Sequence, residues 1–123
     1  MKKIRISSDA LSDLNEGYLF YEKQDPGLGD YFTSCLRSDI EELRLTGGLH
    51  RIVHRQFYRS LSRVFPYGIF YTSDKKTVTV YAIVDLRRDP EFIRRHLKKT
   101  KTQSWSYQSR ADALITSGFK EWK

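Results

Sequence analysis

Residues 67–86 read YGIFYTSDKKTVTVYAIVDL and contain the clearest strand pattern of the sequence. From Thr77 onward, apolar residues at every second position alternate with Thr, Tyr and Ile, which is the pattern of a β-strand. The turn-like segment 73–76 precedes this pattern, so 67–72 and 77–86 are predicted to pair as an antiparallel hairpin. Tyr81 and Ile83 indicate that the second face of the strand is covered too, as expected for a central strand.

The residues before this hairpin have an ambiguous period. Apolar residues and arginines between 49 and 65 recur every four positions, a spacing that fits both a helix and a strand. The β-branched and aromatic content favours strands, as do the flanking Gly47-Gly48 and Pro66. Because Pro66 has no amide hydrogen and Gly68 is conformationally free, we expect a corner or bulge between strands at 57–65 and 67–72.

The N-terminal part predicts one strand and two helices. Ile4 and Ile6 alternate with charged residues, as in a half-buried strand, and Ser8 is predicted to cap the helix that follows. The sequence DPGLG at 25–29 ends this helix, and a second helix runs to Gly47-Gly48. Two amphipathic helices joined by so short a loop predict an antiparallel hairpin. Their apolar stripes are Leu11, Leu14, Tyr18 and Tyr21 in the first, and Leu28, Phe32, Leu36, Ile40 and Leu43 in the second.

The C-terminal part predicts a short helix and an extension. Asp89-Pro90 ends the sheet, and PEFIRRHLKK at 90–99 has Pro and Glu at its start and basic residues at its end, as the helix dipole favours. We expect one domain at 1–99 and an extension of unassigned role at 100–123, within which RADALITSGF allows one or two helical turns. The predicted class is α+β: an N-terminal strand, a helical hairpin packed on a twisted antiparallel sheet, and a short C-terminal helix.

Composition and charge restrict the classes of function. The 123 residues contain no apolar run of about 20 residues that would span a membrane, and MKKIRIS does not resemble a secretion signal. Cys35 is the only cysteine, which fits a reducing compartment such as the cytoplasm. The net charge of +7 is segregated: residues 1–50 carry 6 Lys/Arg against 9 Asp/Glu, whereas 51–99 carry 12 against 4. This segregation indicates an anionic partner of the middle region, either nucleic acid or an acidic protein.

Motifs for classical catalysis are absent from the sequence. His50, His54 and His96 have no regular metal-ligand spacing and are expected at the surface, Cys35 is expected to fill the core, and neither a metal nor a cofactor is predicted. Arginines stand out instead, because their planar guanidinium groups suit phosphate and carboxylate. We expect several to converge on one edge of the sheet. They are Arg51, Arg55, Arg59, Arg63, Arg87 and Arg88, while Tyr58, Tyr67 and Tyr71 either stack on bases or fill the core.

Three motifs carry a resemblance to a known superfamily. They are YEKQDPGLGDYF (21–32), YRSLSRVFPYGIFY (58–71) and VYAIVDLRRDPEF (80–92). Together with the order of elements over residues 2–99, they resemble the RelE/ParE superfamily of toxins from type II toxin-antitoxin modules. The resemblance implies a small toxin that a cognate antitoxin neutralises, with RelE-like members cleaving messenger RNA on the ribosome and ParE-like members acting on DNA gyrase.

The resemblance favours the ParE-like subgroup, some of whose members stabilise plasmids. Aligned on the RelE pattern, Gly68 stands where a catalytic Arg is usual, the later catalytic Arg falls on Arg87, and the terminal tyrosine falls near Ile93. Two ribonuclease groups are therefore missing, and FPY and RRDP are typical of ParE-like sequences. The predicted target is DNA gyrase. The alternatives are a ribosome-dependent endoribonuclease, with Arg87, Arg63 and His54 as its groups, and a non-toxic relative that only binds its antitoxin.

The resemblance also implies two interfaces. Arg59, Arg63, Arg87 and Arg88 are the residues expected to bind the target. The antitoxin is expected on the first helix at Leu14, Tyr18 and Tyr21, unless this stripe belongs entirely to the core.

Overall fold

The computed structural model describes residues 1–98, which form a five-stranded sheet with helices on both faces. The predicted extension at 100–123 lies outside the described residues. The sheet order is β1-β5-β4-β3-β2, and β1 pairs with β5 in parallel, so the sheet is mixed rather than antiparallel throughout. The elements are β1 (Lys3–Ile6), α1 (Ser8–Gln24), α2 (Leu28–Glu41), α3 (Leu43–Thr46), β2 (Arg51–His54), β3 (Phe57–Leu61), β4 (Tyr67–Ser73), β5 (Thr77–Asp85) and α4, which covers 90–98.

The first helix is capped by Ser7, not by the predicted Ser8. Ser7 has extended backbone angles, and its Oγ accepts a hydrogen bond from the N–H of Ala10 at 3.1 Å, whereas Ser8 is already helical. The same hydroxyl donates to the carbonyl of Tyr81 at 3.3 Å. The cap therefore also ties the start of α1 to β5.

The predicted helical hairpin is confirmed. Gly27 reverses the chain with φ +91°, and the carboxylate of Glu22 accepts hydrogen bonds from the N–H groups of Gly27 and Gly29. Gly17 lets α1 and α2 approach closely, because a Cβ there would lie 2.5 Å from the buried ring of Phe32. The hairpin covers one face of the sheet, the hairpin face, with a core that includes Ile4, Leu14, Tyr21, Leu36, Ile40, Ile69, Tyr71, Val80 and Ile83.

A bulge in β5 interrupts the predicted strict alternation. Phe70 pairs with Ala82 while the next residue, Tyr71, pairs with Val80, so Tyr81 is an extra residue in the ladder. Val80 therefore packs against the helical hairpin, whereas Ala82 packs on the opposite face, the groove face. The expectation that both faces of this strand are covered is confirmed.

The break at Pro66 lies in a hairpin loop rather than in a bulged strand. β3 ends at Leu61, four residues earlier than the predicted strand, and 62–66 connect it to β4. The N–H of Ser62 donates to the carbonyl of Tyr67 at 2.9 Å, which closes the loop. Pro66 has no N–H to donate to a strand ladder, and it is tolerated here because it lies in the loop between β3 and β4.

The predicted helix after Asp89 is also confirmed, and it covers the groove face. Oδ1 of Asp89 accepts from the N–H of Glu91 at 3.0 Å, and Leu97 packs with Phe57 and Phe70 in a second apolar cluster. Buried Asp13 of α1 links three elements, because its Oδ2 accepts from the N–H of Ile83 at 3.0 Å and lies 3.1 Å from Nε2 of His96. One carboxylate thus joins α1, β5 and α4.

The close approach at Gly17 predicts the cost of a single methyl group. Gly17→Ala is expected to lower the free energy of unfolding by about 1–3 kcal/mol, because the ring of Phe32 is enclosed and has to shift. Asn15→Ala, at an exposed position two residues earlier, is the control, with an expected change of about 0.5 kcal/mol or less. Urea unfolding measures both. An unchanged midpoint for Gly17→Ala would show that the helices are not in close contact there.

The contact between His96 and Asp13 predicts a pH dependence of stability. The hydrogen bond to Asp13, supported by the charges of Asp13, Asp9 and Glu16, raises the pKa of His96 above its ordinary value. Because the folded protein binds the His96 proton more tightly than the unfolded chain does, protonated His96 stabilises the fold. This contribution is complete below the unfolded-state pKa of about 6.5 and is lost as pH rises through the higher folded-state pKa. The stability difference between wild type and His96→Gln is therefore expected to be larger at about pH 5.5 than at about pH 8.5. Urea unfolding at both pH values checks this, and equal differences would contradict it.

Candidate functional site

A groove of about 350 Å³ lies between the groove face of the sheet and α4. Its lining combines an apolar floor with three guanidinium groups, a combination suited to an anionic partner that also has apolar surface. We call it the arginine groove. Its lining residues are Val53, His54, Arg59, Phe70, Leu86, Arg88, Pro90, Ile93, Arg94 and Leu97.

Arg59 reaches the groove because of the strand register. It pairs with Arg51 of β2 on one side and with Phe70 of β4 on the other, so the three side chains share one face of the sheet. Gly68 leaves room for it, since a Cβ at Gly68 would lie 3.3 Å from Cδ of Arg59 and 3.0 Å from Leu86. Within residues 1–98, no carboxylate forms an ion pair with Arg59. Its guanidinium group is therefore available to an anion.

Arg88 and Arg94 line the side of the groove opposite to Arg59, which is formed by the end of β5 and by α4. Arg88 follows β5, and its guanidinium carbon lies 4.3 Å from the ring centroid of Phe92, a cation–π contact that orients it. Arg94 lies on α4 and forms an ion pair with Glu91. The groove therefore contains one arginine paired with a carboxylate and two without such a pair among the described residues.

His54 adds a neutral polar group at the edge of the groove. Its ring stacks on Phe57 at a centroid distance of 6.5 Å, and its Nε2 is buried with no hydrogen-bond partner in the described part of the chain. Burial lowers the pKa of His54, and the positive charges of Arg55 and Arg94 lower it further. The imidazole of His54 therefore favours its neutral form, and its Nε2 is enclosed by protein rather than exposed in the groove.

Arg63 lies on the other side of the sheet, beside the helical hairpin. Its Nε donates to Oδ1 of Asp39 at 3.2 Å, and its Nη2 pairs with Glu42. These contacts raise the pKa of Arg63, with the hydrogen bond to Asp39 contributing most. Asp39 also accepts from the hydroxyl of Ser62 at 2.8 Å, so Arg63 helps to hold the β3–β4 loop on α2.

Arg87 is bound by a carboxylate two residues before it. Its Nε and Nη2 donate to the two oxygens of Asp85 at 3.0 and 2.8 Å, and Nη2 also contacts the hydroxyl of Tyr21 at 3.4 Å. The hydrogen bond to Asp85 raises the pKa of Arg87 and lowers that of Asp85. More than half of the Arg87 side chain remains exposed, so it stays accessible at the surface.

We expected several of the six arginines to converge on one edge of the sheet, but the structure divides them between its two faces. Arg59 and Arg88 meet in the arginine groove, and Arg51 lies beside Arg59 on the same face. Arg55 occupies the β2–β3 turn with φ +51°, while Arg63 and Arg87 contact the helical hairpin. The spacing of four positions did not reveal this division, because it contains no information on which carboxylates lie nearby.

The three groups expected for the ribonuclease alternative lie apart. Arg63 contacts Asp39, Arg87 contacts Tyr21, and His54 lies in the arginine groove. Arg63 and Arg87 therefore lie beside the helical hairpin, which covers the face of the sheet opposite to the arginine groove. A single phosphate would not reach all three groups in this arrangement.

Two of the three tyrosines considered for base stacking belong to the core, as their alternative interpretation predicts. Tyr71 is fully buried, and its hydroxyl accepts from the N–H of Gly48 and lies 2.6 Å from Nδ1 of His50. Tyr67 is 7% exposed, and burial raises its pKa to about 12. Tyr58 is half-buried and stacks on Tyr71 at 5.2 Å.

The predicted antitoxin stripe is mostly core. Leu14 and Tyr21 are only 6% and 7% exposed, because both pack into the core under the helical hairpin. Tyr18 is half-buried and, with Leu14, lines a shallow groove between α1 and α2. Phe20 and Tyr31 are more exposed, and the helical period did not indicate them because they lie off the apolar stripes.

The remaining candidates have structural roles. Cys35 packs partly buried against the core, as expected. The three histidines are part-exposed, and each contacts another side chain: His50 contacts Tyr71, His54 stacks on Phe57 and His96 contacts Asp13. Among residues 1–98, no group of His, Cys, Asp and Glu side chains is arranged to hold a metal ion, and no helix is long and apolar enough to cross a membrane.

Comparison with known proteins identifies the fold. No family model and no curated protein matches the sequence. Eight chains of solved structures match, including a chain of the chromosomal ParDE toxin-antitoxin system from P. aeruginosa. The alignment has a TM-score of 0.64 and 12% identity and covers 69% of this chain and 96% of that chain. The protein therefore has the fold of a ParDE-system chain, and the predicted RelE/ParE-like fold is confirmed.

Proposed function

We propose that this protein is the ParE-like toxin of a type II toxin-antitoxin module. The observation that carries the proposal is the fold shared with a ParDE-system chain over 96% of that chain. The three sequence motifs at 21–32, 58–71 and 80–92 also support it. A cognate antitoxin holds the toxin inactive in the cytoplasm, and the free toxin inhibits growth by poisoning DNA gyrase.

The arginine groove is the best candidate for contact with the target. Arg59 and Arg88 bring two guanidinium groups without carboxylate partners among residues 1–98 to one apolar floor. Gyrase bound to DNA offers phosphates and acidic side chains, both of which accept paired hydrogen bonds from arginine. Arg87, although held by Asp85, remains accessible and extends the basic surface, whereas Arg63 contributes mainly by fixing the β3–β4 loop.

The separation of the three nuclease groups favours a gyrase poison over a ribonuclease. Metal-independent cleavage of RNA needs a base near the ribose hydroxyl and cations on the same phosphate. Gly68 also leaves the usual position of a catalytic arginine without a side chain, and Leu86, Phe70 and Arg59 crowd around it. These features support the ParE-like mode of action.

The antitoxin contacts the outer surface of the helical hairpin in this proposal. Tyr18 and the exposed edge of Leu14 line the groove between α1 and α2, and Tyr21 acts from the core by supporting Phe32. A separate acidic segment of the antitoxin contacts the basic residues 51–99, so that the antitoxin and the target contact the same arginines in turn.

Expression of the protein alone is expected to arrest growth, and coexpression of the neighbouring open reading frame is expected to restore it. The purified protein, incubated with gyrase, ATP and supercoiled plasmid, is expected to yield linear DNA after detergent and protease treatment, because a poisoned gyrase retains cleaved DNA. Translating ribosomes with a defined message are the matched control. Cuts in the message without plasmid cleavage would establish the ribonuclease alternative, and normal growth on expression would establish a non-toxic relative.

The contribution of the arginine groove is tested by the double variant Arg59→Ala/Arg88→Ala. It is expected to lower plasmid cleavage by about 100-fold, since losing two charged contacts of about 1.5 kcal/mol each has an effect of that size. Arg5→Ala/Arg95→Ala removes the same charge from positions outside the groove and is expected to stay within about threefold. Equal activity of the two variants would show that the arginine groove does not contact the target.

A further inference from the structure

The shallow groove between α1 and α2, the α1–α2 groove, is an accessible apolar surface with an acidic group beside it. It has a volume of about 310 Å³. Leu11 and Tyr18 provide half-buried apolar side chains, and exposed Asp30 adds a carboxylate. Such a surface suits a segment that has apolar residues on one side and basic residues beside them. The lining residues, all of them on the two helices, are Leu11, Leu14, Asn15, Tyr18, Asp30 and Thr33.

Charge distinguishes this groove from the opposite side of the molecule. Residues 8–41, which include α1 and α2, carry 2 Lys/Arg against 8 Asp/Glu, whereas 51–98 carry 11 against 4. Residues 100–123 carry 4 against 2, so the C-terminal extension is basic. Electrostatic attraction therefore favours contact of the extension with the helical hairpin, and repulsion opposes its contact with the arginine groove.

The chain leaves the described part of the structure close to α1. α4 ends at residue 98, and Nε2 of His96 lies 3.1 Å from Oδ2 of Asp13 on α1. Residues 99–109 can span about 36 Å when extended, whereas an α-helix with its side chains is only about 10–12 Å across. Residues from 110 onward can therefore reach any side of α1, including the side that lines the α1–α2 groove.

The extension also contains the apolar residues that the groove requires. Within 110–123, apolar residues recur at intervals of three and four, the spacing of one helix face. Arg110, Lys120 and Lys123 stand near the two ends of this pattern. The segment 110–123 therefore combines an apolar side with basic residues, which matches the chemistry of the groove. Its apolar residues at this spacing are Ala111, Leu114, Ile115, Phe119 and Trp122.

Covalent attachment favours the chain's own segment over the same segment of a second copy. A short flexible tether gives an effective concentration in the millimolar range, because the linker keeps the segment near its site. Binding that would be weak between separate molecules is then sufficient to keep the groove occupied.

We propose that the C-terminal segment 110–123 binds in the α1–α2 groove of its own chain. Its apolar residues contact Leu11 and Tyr18, and its basic residues lie near Asp30. The segment thereby occupies the surface on which we place the antitoxin, so the antitoxin has to displace it. That consequence rests on the proposed function, whereas the binding of the segment does not.

Tryptophan fluorescence tests the proposal in the full-length protein. The sequence contains two tryptophans, Trp105 and Trp122, and both belong to the extension. In Trp105→Phe the emission therefore reports on Trp122 alone. We expect this emission to lie at shorter wavelength than in the urea-unfolded chain and to be quenched less by acrylamide, because the bound segment buries the indole ring.

Two further substitutions in the Trp105→Phe protein form a matched pair. Phe119→Ser removes a large apolar side chain from the segment and is expected to lower the ratio of bound to unbound segment by about tenfold or more. Tyr107→Ser truncates an aromatic residue before the segment, and its expected effect is about twofold or less. Neither substitution changes residues 1–98, so both proteins are expected to keep the sheet and the helical hairpin.

Backbone amide signals of the isotopically labelled protein locate the binding surface. The signals that differ between the Trp105→Phe protein and its Phe119→Ser variant are expected to belong to residues 11–18 and 30–33, which line the α1–α2 groove. Signals of 57–61 and 86–94, beside the arginine groove, are expected to stay unchanged.

The inference fails if Trp122 has the same emission and quenching in native buffer as in urea, or if Phe119→Ser and Tyr107→Ser have equal effects. Amide changes centred on the arginine groove would also overturn it. Protection of Trp122 that increases with protein concentration, together with a dimer in light scattering, would show that the segment of a second copy occupies the groove instead. These measurements involve neither gyrase nor an antitoxin, so their failure is distinct from failure of the proposed function.

Discussion

The bulge at Tyr81 determines which side chains of β5 face the helical hairpin and which face α4. One extra residue in β5 shifts the alternation of its side chains by one position. Val80 and Ile83 therefore pack under the helical hairpin, while Ala82 and Val84 pack under α4. A regular strand would direct Ala82 and Val84 toward the hairpin instead. The bulge thus creates two apolar faces from one strand and gives α4 a surface to cover. The arginine groove lies between that surface and α4.

Buried polar contacts fix the elements around this strand. Asp13 accepts from the backbone of Ile83 and contacts His96, so the carboxylate binds the bulged strand and both of its covering layers. Asp39 of α2 holds Ser62 and Arg63 of the β3–β4 loop in a similar way. These acidic residues belong to the negatively charged N-terminal half of the chain. Asp39 pairs with Arg63 on the hairpin face, whereas Arg59 and Arg88 of the groove have no such carboxylate pair among residues 1–98.

Local pattern was sufficient to predict most of the elements, because helices and strands depend on the period of their own residues. The helical hairpin, the β4–β5 hairpin and the helix after Asp89 are of this kind. The bulge was not predictable from period, since β5 is apolar on both faces and one inserted residue leaves no mark in such a sequence. The parallel pairing of β1 depends on where the helical hairpin returns the chain, which is a property of the whole fold.

The candidate site shows the same division. The sequence identified Arg59 and Arg88, which do lie together, but it also grouped them with Arg63 and Arg87. The contacts that separate these arginines join distant residues, such as Arg63 to Asp39 and Arg87 to Tyr21, and no spacing rule predicts them. Leu14 and Tyr21 appeared to form an exposed stripe for a similar reason, because an amphipathic helix does not reveal how much of its apolar face the sheet covers.

We propose that the groove between the sheet and α4 contacts the target, and hydrogen–deuterium exchange of the protein, alone and in complex with gyrase and DNA, tests this contact. We expect slower exchange in 57–61 and 86–94, which form the two walls of the groove, and unchanged exchange in α1. Slower exchange confined to α1 and α2, with both groove walls unaffected, would contradict it.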